Sequence, residues 1–225
     1  MSAAVRTLAR ARSEADKVPV ILDAAATCFT ERGYYATTID EIAARCGSTK
    51  GLIYYHFKSK TDLFFALYHL AMSRPIERAR TILQQEGSGA ERLSCMGRAH
   101  LLGMMEHLTY HHVSRQGVEL HLMSALTPEQ QKTLRGLIRL RDEYEALYVS
   151  ALQAGLTDGT LRCGQPSLAA KIFLGALNGT SVWYRKRAGE TAAMRERLAA
   201  EILSSVMNGF LRHEGSGPSA EEGAG

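Results

Sequence analysis

Apolar residues along this chain recur three and four positions apart, and no stretch shows the strict alternation of a half-buried strand. The pattern predicts an all-α fold. Over residues 18 to 32, Val20, Ile21, Ala24, Ala25, Cys28 and Phe29 share one helical face, and Gly33 stands where a left-handed C-terminal stop belongs. Thr38-Ile39-Asp40-Glu41 reads as a capping box, opening a helix whose inner face is Ile39, Ile42, Ala43 and Cys46. Gly47 ends that helix and supplies a turn. Ser48 is then the expected N-cap of a two-turn helix, and Ser59 with Asp62 caps the next one.

Further along, the punctuation predicts a helix over 59 to about 85 that bends before Pro75, then a Gly-Ser-Gly linker at 87 to 89. Helices follow over about 91 to 112 and 115 to 124. Thr127-Pro128-Glu129-Gln130 is a strong start with proline at N1, for a helix expected to run to Ala154 and close at Gly155. After a turn at Asp158-Gly159, Pro166 opens a helix through about 187, and a last one spans about 191 to 212.

The short helix after Gly47 carries the candidate chemistry. At about 100° per residue, Ile53 and Phe57 fall on one face while Gly51, Leu52 and Tyr55 fall on the opposite one. The first pair suits a core; the second group points at something outside it. From Arg45 to Lys60 there are four bases (Arg45, Lys50, Lys58, Lys60) and no acid, which suits a polyanion. Two helices, a glycine turn and a short third helix make the helix-turn-helix order, in which the last helix enters the DNA major groove by its N-terminal residues.

At these residues the chain resembles the TetR family of transcriptional regulators. The resemblance rests on Phe29, Gly33, Tyr34, Thr38, Ile42, Ala43, Gly47, Lys50, Gly51, Tyr54, His56, Phe57, Lys58, Lys60 and Leu63, and covers residues 18 to about 68. It implies phosphate contacts from Thr38, Ser48, Tyr54, His56 and Lys60. It places Lys50, Gly51, Leu52 and Tyr55 nearest the bases, Lys50 as donor to a guanine edge and Leu52 against a thymine methyl. It further implies an all-α C-terminal domain that dimerises and binds a small molecule. The expected organisation is a basic arm over 1 to 17, a three-helix DNA-binding domain over 18 to 64, a ligand-binding and dimerisation domain over 65 to 213, and a tail over 214 to 225.

Composition narrows the partners. A net charge of only +4 over 225 residues means that a basic patch must be local. Cys28, Cys46, Cys95 and Cys163 form no CxxC pair, which reads as reduced thiols in a cytoplasmic protein. No run reaches the roughly 18 apolar residues of a membrane span. A Gly-rich phosphate loop, a nucleophile elbow and paired carboxylates are all lacking, so neither an enzyme nor a cofactor is expected.

The last two helices carry the marks of a homodimer interface: Leu198, Ile202, Val206 and Phe210 recur every four residues, and Ala169, Gly175, Ala176 and Gly179 leave room for a second helix. For an effector, the expected lining is Leu101, Met104, Met105, Leu108, Met123, Tyr144, Leu147 and Tyr148. The segment at 174 to 185 resembles TetR-type regulators of fatty-acid, sterol or aromatic-acid breakdown that sense acyl-CoA thioesters. That resemblance implies an apolar tunnel for the acyl part, Asn178 near the thioester and Arg185 available to phosphates, and Trp183 is counted among the expected ligand-binding residues. The alternative is a metal-responsive regulator or metal-dependent hydrolase using His100, His107 and His111 on one helical face. The leading expectation is a homodimeric repressor released from an inverted-repeat operator in double-stranded DNA by a small molecule.

Overall fold

The computed structural model describes residues 17–113 and 126–211. The arm over 1 to 16, the helix expected over 115 to 124 with His121 and Met123, and the tail over 214 to 225 lie outside the described residues. The described chain is helical: α1 Val18–Ala36, α2 Ile39–Arg45, α3 Lys50–His56, α4 Lys60–Leu83, α5 Gly89–Glu106, α6 Pro128–Thr157, α7 Pro166–Trp183 and α8 Ala192–Met207. A further helical run occupies 108–113. No helix among the described residues is long and apolar enough to cross a membrane.

Two compact units divide the chain: up to Arg74 together with His107–Arg141, and Pro75–Glu106 together with the chain from Asp142 onward. In the first, α1 buries Ile21, Leu22, Ala25 and Phe29, α2 buries Ile39 and Ile42, α3 contributes Ile53, and the start of α4 adds Leu63, Phe64 and Leu67. Each of the leucine, isoleucine and phenylalanine side chains contributes about 1.5–3 kcal/mol by leaving water. Val20, expected on the inner face of α1, is instead exposed, because the buried face runs through Ile21, Ala25 and Phe29, about 100° or more round the helix from it. Gly33 interrupts α1 with φ of 79°, and one further turn of helix follows to Ala36.

Most caps fall where the sequence puts them. Thr38 and Glu41 bond reciprocally as a capping box. Thr127 and Gln130 do the same at the start of α6, backbone to side chain in both directions. Several boundaries differ, and α5, α7 and α8 end at Glu106, Trp183 and Met207, short of the expected 112, 187 and 212. The N-cap of α3 is Thr49, not Ser48: Thr49 is extended and its hydroxyl accepts from the Leu52 N–H, so the helix begins one residue later. Helix α6 does not close at Gly155 but continues to Thr157. There glycine serves close approach rather than termination. A Cβ on Gly155 would strike the Leu161 side chain, and one on Gly89 would strike the Gly155 backbone.

The second unit is built around α5. Leu93, Met96, Leu101, Met104 and Met105 are buried, as are Tyr144, Tyr148 and Leu152 of α6, Phe173 and Leu177 of α7, and Ala199, Leu203 and Met207 of α8. Gly97 makes this layer possible, because a Cβ there would crowd Phe173 and Leu203. The buried stripe of α8 is one residue on from the expected one, so Leu198, Ile202 and Val206 are only half-buried. A single bridge between Leu161 and Leu211 fastens the end of the chain beside the turn after α6.

Candidate DNA interface and effector site

Helix α3 presents one face to the core and one to solvent. Ile53 is fully buried, whereas Tyr55 is 71% and Tyr54 45% exposed, with Gly51 and Lys50 also open. Leu52 and His56 are half-buried, and the His56 ring meets Tyr55 edge-on at 5.1 Å. Exposing two tyrosines beside a glycine on a seven-residue helix is costly in water and useful against a nucleic acid. The Ser48 Oγ is buried and has no hydrogen-bond partner among the described residues.

Ion pairs brace this face. The Lys50 ammonium donates to Asp40 Oδ2 at 2.8 Å, which raises its pKa through the hydrogen bond and the neighbouring charge. Arg45 makes a two-pronged contact with Glu31, and Arg32 reaches Glu41. Glu41 in turn sits below the usual carboxylate range because the Thr38 backbone and side chain both donate to it. Thr38 therefore has its hydroxyl engaged within its own cap.

Lys60 has an occupation that the sequence did not disclose. Its ammonium donates to the carbonyls of Tyr34 and Thr37 at 2.8 Å and of Tyr35 at 3.2 Å, and it lies over the Tyr34 ring. Burial pushes its pKa down. The free carbonyls at the end of α1 are thus satisfied by a cation, the charge that the C-terminal end of a helix favours. Thr37 completes the corner: its buried hydroxyl donates toward the carbonyls of Gly33 and Cys28.

The same unit ties α1 and α4 to later parts of the chain. Tyr110 donates to Asp23, and the Thr30 hydroxyl donates to the Thr109 carbonyl. The Gln130 amide donates to Ser59 Oγ and Asp62 Oδ1 at the start of α4.

In the second unit, the expected lining residues separate into three groups. Leu101, Met104 and Met105 are ordinary buried core. Tyr144, Tyr148 and Asn178 join a polar relay: His100 Nε2 lies 3.1 Å from Asn178 Oδ1, His100 Nδ1 3.0 Å from the Tyr144 hydroxyl, and that hydroxyl 3.0 Å from Tyr148, which donates to the Met96 carbonyl. Desolvation brings His100 down to about 4 and raises both tyrosines. Trp183 and Arg185 belong elsewhere. Trp183 is exposed at the end of α7, and the Arg185 guanidinium donates to the Tyr184 carbonyl. Leu147 is half-buried, as is Leu108 in the first unit.

A small cleft opens beside this relay, lined by Pro75, Arg78, Ala79, Met96, Ala99, His100 and Tyr144, with room for about one water molecule. No three of His, Cys, Asp and Glu among the described residues group as a metal requires. His100, the proposed ligand common to the metal reading, spends its ring nitrogens on Tyr144 and Asn178.

Helix α7 carries a second exposed feature. Leu168, Ile172, Val182 and Trp183 are all more than half exposed, and at about 100° per residue they share a stripe with Gly175, Ala176 and Gly179 about 120° wide. Ala169, expected to face a second helix, is buried within its own chain instead, because it lies one position off this stripe. Phe210 packs inward on Phe173, with ring centroids 5.7 Å apart.

Comparison with known proteins agrees with this arrangement. Residues 21–67 match the bacterial regulatory proteins of the tetR family, and residues 86–210 match a tetracyclin repressor-like C-terminal domain. The chain is 28% identical over 198 residues to the HTH-type transcriptional repressor KstR2 of Rhodococcus jostii (strain RHA1), covering 84% of this chain and 89% of that protein. The solved TetR family transcriptional regulator PfmR from Thermus thermophilus superposes with a TM-score of 0.71 at 26% identity, covering 84% of this chain and 97% of that one. AibR, solved in complex with isovaleryl coenzyme A and operator DNA, gives a TM-score of 0.69 at 24% identity over 84% and 97% of the two chains, a likeness of fold.

Proposed function

The chain belongs to the tetR family of bacterial regulatory proteins, and from that membership we propose that it is a homodimeric repressor that leaves an inverted-repeat operator when a small molecule binds its second unit. It is a DNA-binding transcription regulator and not an enzyme. The observation that carries the reading is helix α3, whose Lys50, Gly51, Tyr54 and Tyr55 stand open beside a fully buried Ile53. Lys50 and Gly51 at its N-terminus suit base contact, Leu52 a thymine methyl, and Ser48, Tyr54 and His56 the phosphates on either side, while Thr38 and Lys60, whose donors are spent on Glu41 and on three carbonyls, serve that face by holding its frame.

The exposed stripe of α7 supports a homodimer. Four large apolar residues around two glycines and an alanine favour close packing against a copy of the same helix, and the half-buried Leu198, Ile202 and Val206 of α8 extend the patch. A two-fold dimer matches an inverted repeat, since each subunit reads one half-site. Such a protein works in the cytoplasm, where its operator is.

For the effector, an acyl-CoA thioester of lipid, sterol or aromatic-acid catabolism is the proposed class. AibR was solved with isovaleryl coenzyme A and operator DNA, and its fold is shared. Helix α4 carries Lys60 near its start and Arg78 and Ala79 near its end. A ligand-driven shift of this helix would move the Lys60 cap and with it the end of α1. Moving a dimer from 99% to 1% DNA-competent takes about 5.5 kcal/mol of differential ligand binding.

The test is selection of genomic fragments by the purified protein at a stated salt concentration. An enriched inverted repeat, released by an acyl-CoA, supports the whole reading. Enrichment of a single half-site would remove the dimer, and no enrichment would remove sequence-specific repression.

A further inference from the structure

The segment over residues 18–64, which carries the candidate DNA interface, is electrically balanced. Its acids Asp23, Glu31, Asp40, Glu41 and Asp62 equal in number its bases Arg32, Arg45, Lys50, Lys58 and Lys60. Arg32 is paired with Glu41, Arg45 with Glu31 and Lys50 with Asp40, each across two helices, and Lys60 donates to carbonyls. Bases already engaged within the chain release few counterions from DNA, so selectivity rests on what the side chains meet at the base edges.

The pair of Lys50 and Asp40 differs from the other two. Glu31 gives both carboxylate oxygens to Arg45, and Glu41 gives one to Arg32 and the other to Thr38. Asp40 uses only Oδ2, 2.8 Å from Lys50 Nζ, and its Oδ1 has no hydrogen-bond partner among the described residues. Two of the three N–H groups of the Lys50 ammonium are open in the same way. The side chains are 52% and 66% exposed, and an exposed ion pair of this kind adds little to stability. A carboxylate beside a recognition helix also meets phosphates of its own sign, so neither the fold nor phosphate binding accounts for Asp40. What the pair supplies is a donor held next to an acceptor, on the same turn of the structure as the open Gly51 and one helical turn before the exposed Tyr54.

In the major groove that arrangement has a definite complement. Guanine presents N7 and O6, which only accept, and the cytosine paired with it presents an N4 amine, which donates. The two open N–H groups of Lys50 suit the guanine acceptors, and Asp40 Oδ1 suits the amine. An A·T pair in the same place inverts both contacts: adenine N6 turns a donor toward the ammonium, and thymine O4 turns an acceptor toward the carboxylate, leaving a desolvated charge unpaired.

We propose that Asp40 is a specificity-determining residue, acting with Lys50 as one unit that reads a single G·C pair in each half-site, Lys50 on the guanine edge and Asp40 on the cytosine N4 amine. This rests on the reading of the protein as a sequence-specific DNA-binding regulator and adds which base pair α2 helps to choose. On DNA of other sequence the carboxylate keeps Lys50 for itself, so the pair favours the right site and disfavours the rest.

The experiment uses the full chain and the operator recovered by genomic selection. Each cytosine of a half-site is replaced in turn by N4-methylcytosine, which still pairs with guanine but carries a methyl group where the major-groove amine hydrogen stood. At one position the wild type should bind roughly fivefold or more weakly. Asp40→Ala should bind the methylated and unmethylated duplexes alike at that position. At the same base pair, 7-deazaguanine, which lacks N7, should weaken the wild type and leave Lys50→Met unaffected.

If no methylated position weakens the wild type, the proposal falls on the unaltered protein, while the operator it bound keeps the regulator reading. A loss that persists in Asp40→Ala would assign the cytosine to another residue and overturn it equally. Effects of Asp40 and Lys50 at two different base pairs would break the unit and overturn it as well. If genomic selection recovers no operator at all, the proposal and the regulator reading fall together.

Discussion

The Lys60 ammonium lies 4.5 Å from the centroid of the Tyr34 ring and donates to the carbonyl of that same tyrosine. One side chain at the start of α4 therefore closes the end of α1, so the orientation of the DNA-binding helices depends on a cation that is itself partly withdrawn from water. Lys60→Ala leaves three carbonyls without this donor, and should lower stability by about 1–3 kcal/mol. Chemical denaturation would measure it. An unchanged midpoint, with loss only of DNA affinity, would return Lys60 to a purely phosphate-binding role.

Helix α3 should separate stability from recognition. Tyr55→Ala removes an exposed side chain, so the denaturation midpoint should stay within about 0.5 kcal/mol of wild type while operator affinity drops. Ile53→Ala, in the core two residues away, should cost about 2–5 kcal/mol. Equal destabilisation by both would contradict the two-faced helix.

Asp40 holds Lys50 away from any other partner in the free protein. Asp40→Asn removes a negative charge from the DNA-facing side and frees the ammonium. Affinity for random-sequence DNA should rise, and the slope of log K against log salt should steepen by about one unit. A binding series across salt concentrations reads this directly, and an unaltered slope would show that Lys50 never reaches a phosphate or base.

Protonation of His100 supplies a pH signature in the ligand-free protein. Its folded pKa of about 4 lies below the ordinary 6.5, so the unfolded chain takes up the proton first as pH falls. Stability should be unaffected above pH 6.5 and decline from there toward pH 4, by about 3 kcal/mol in total. His100→Gln should flatten that part of the pH profile. A slope that survives the substitution would place the titrating group elsewhere.

The α7 stripe predicts the assembly state. Ile172→Glu, at a position already exposed in one chain, should leave the monomer folded while shifting sedimentation from dimer to monomer and weakening operator binding. A dimer that withstands both Ile172→Glu and Val182→Glu would require a different interface.

What the sequence alone determined is local. Capping pairs such as Thr38 with Glu41 and Thr127 with Gln130 span three residues, and amphipathic faces such as Ile39 with Ile42 repeat within a turn, so helix positions and the helix-turn-helix order could be read from spacing. Even here a one-residue choice between two adjacent hydroxyls, Ser48 and Thr49, turned on backbone geometry that spacing does not contain. Only the tertiary structure decided the rest. His100 read as a metal ligand because its neighbours in sequence were histidines, yet its partners are Tyr144 and Asn178, 44 and 78 residues away. Lys60 read as a surface base, yet its partners lie 23 to 26 residues back along the chain. The α7 stripe became visible only once Leu168, Ile172, Val182 and Trp183 were left uncovered by every described neighbour. Hydrogen bonds and burial depend on which side chains folding brings together, and chain spacing specifies that only within a turn or two of helix.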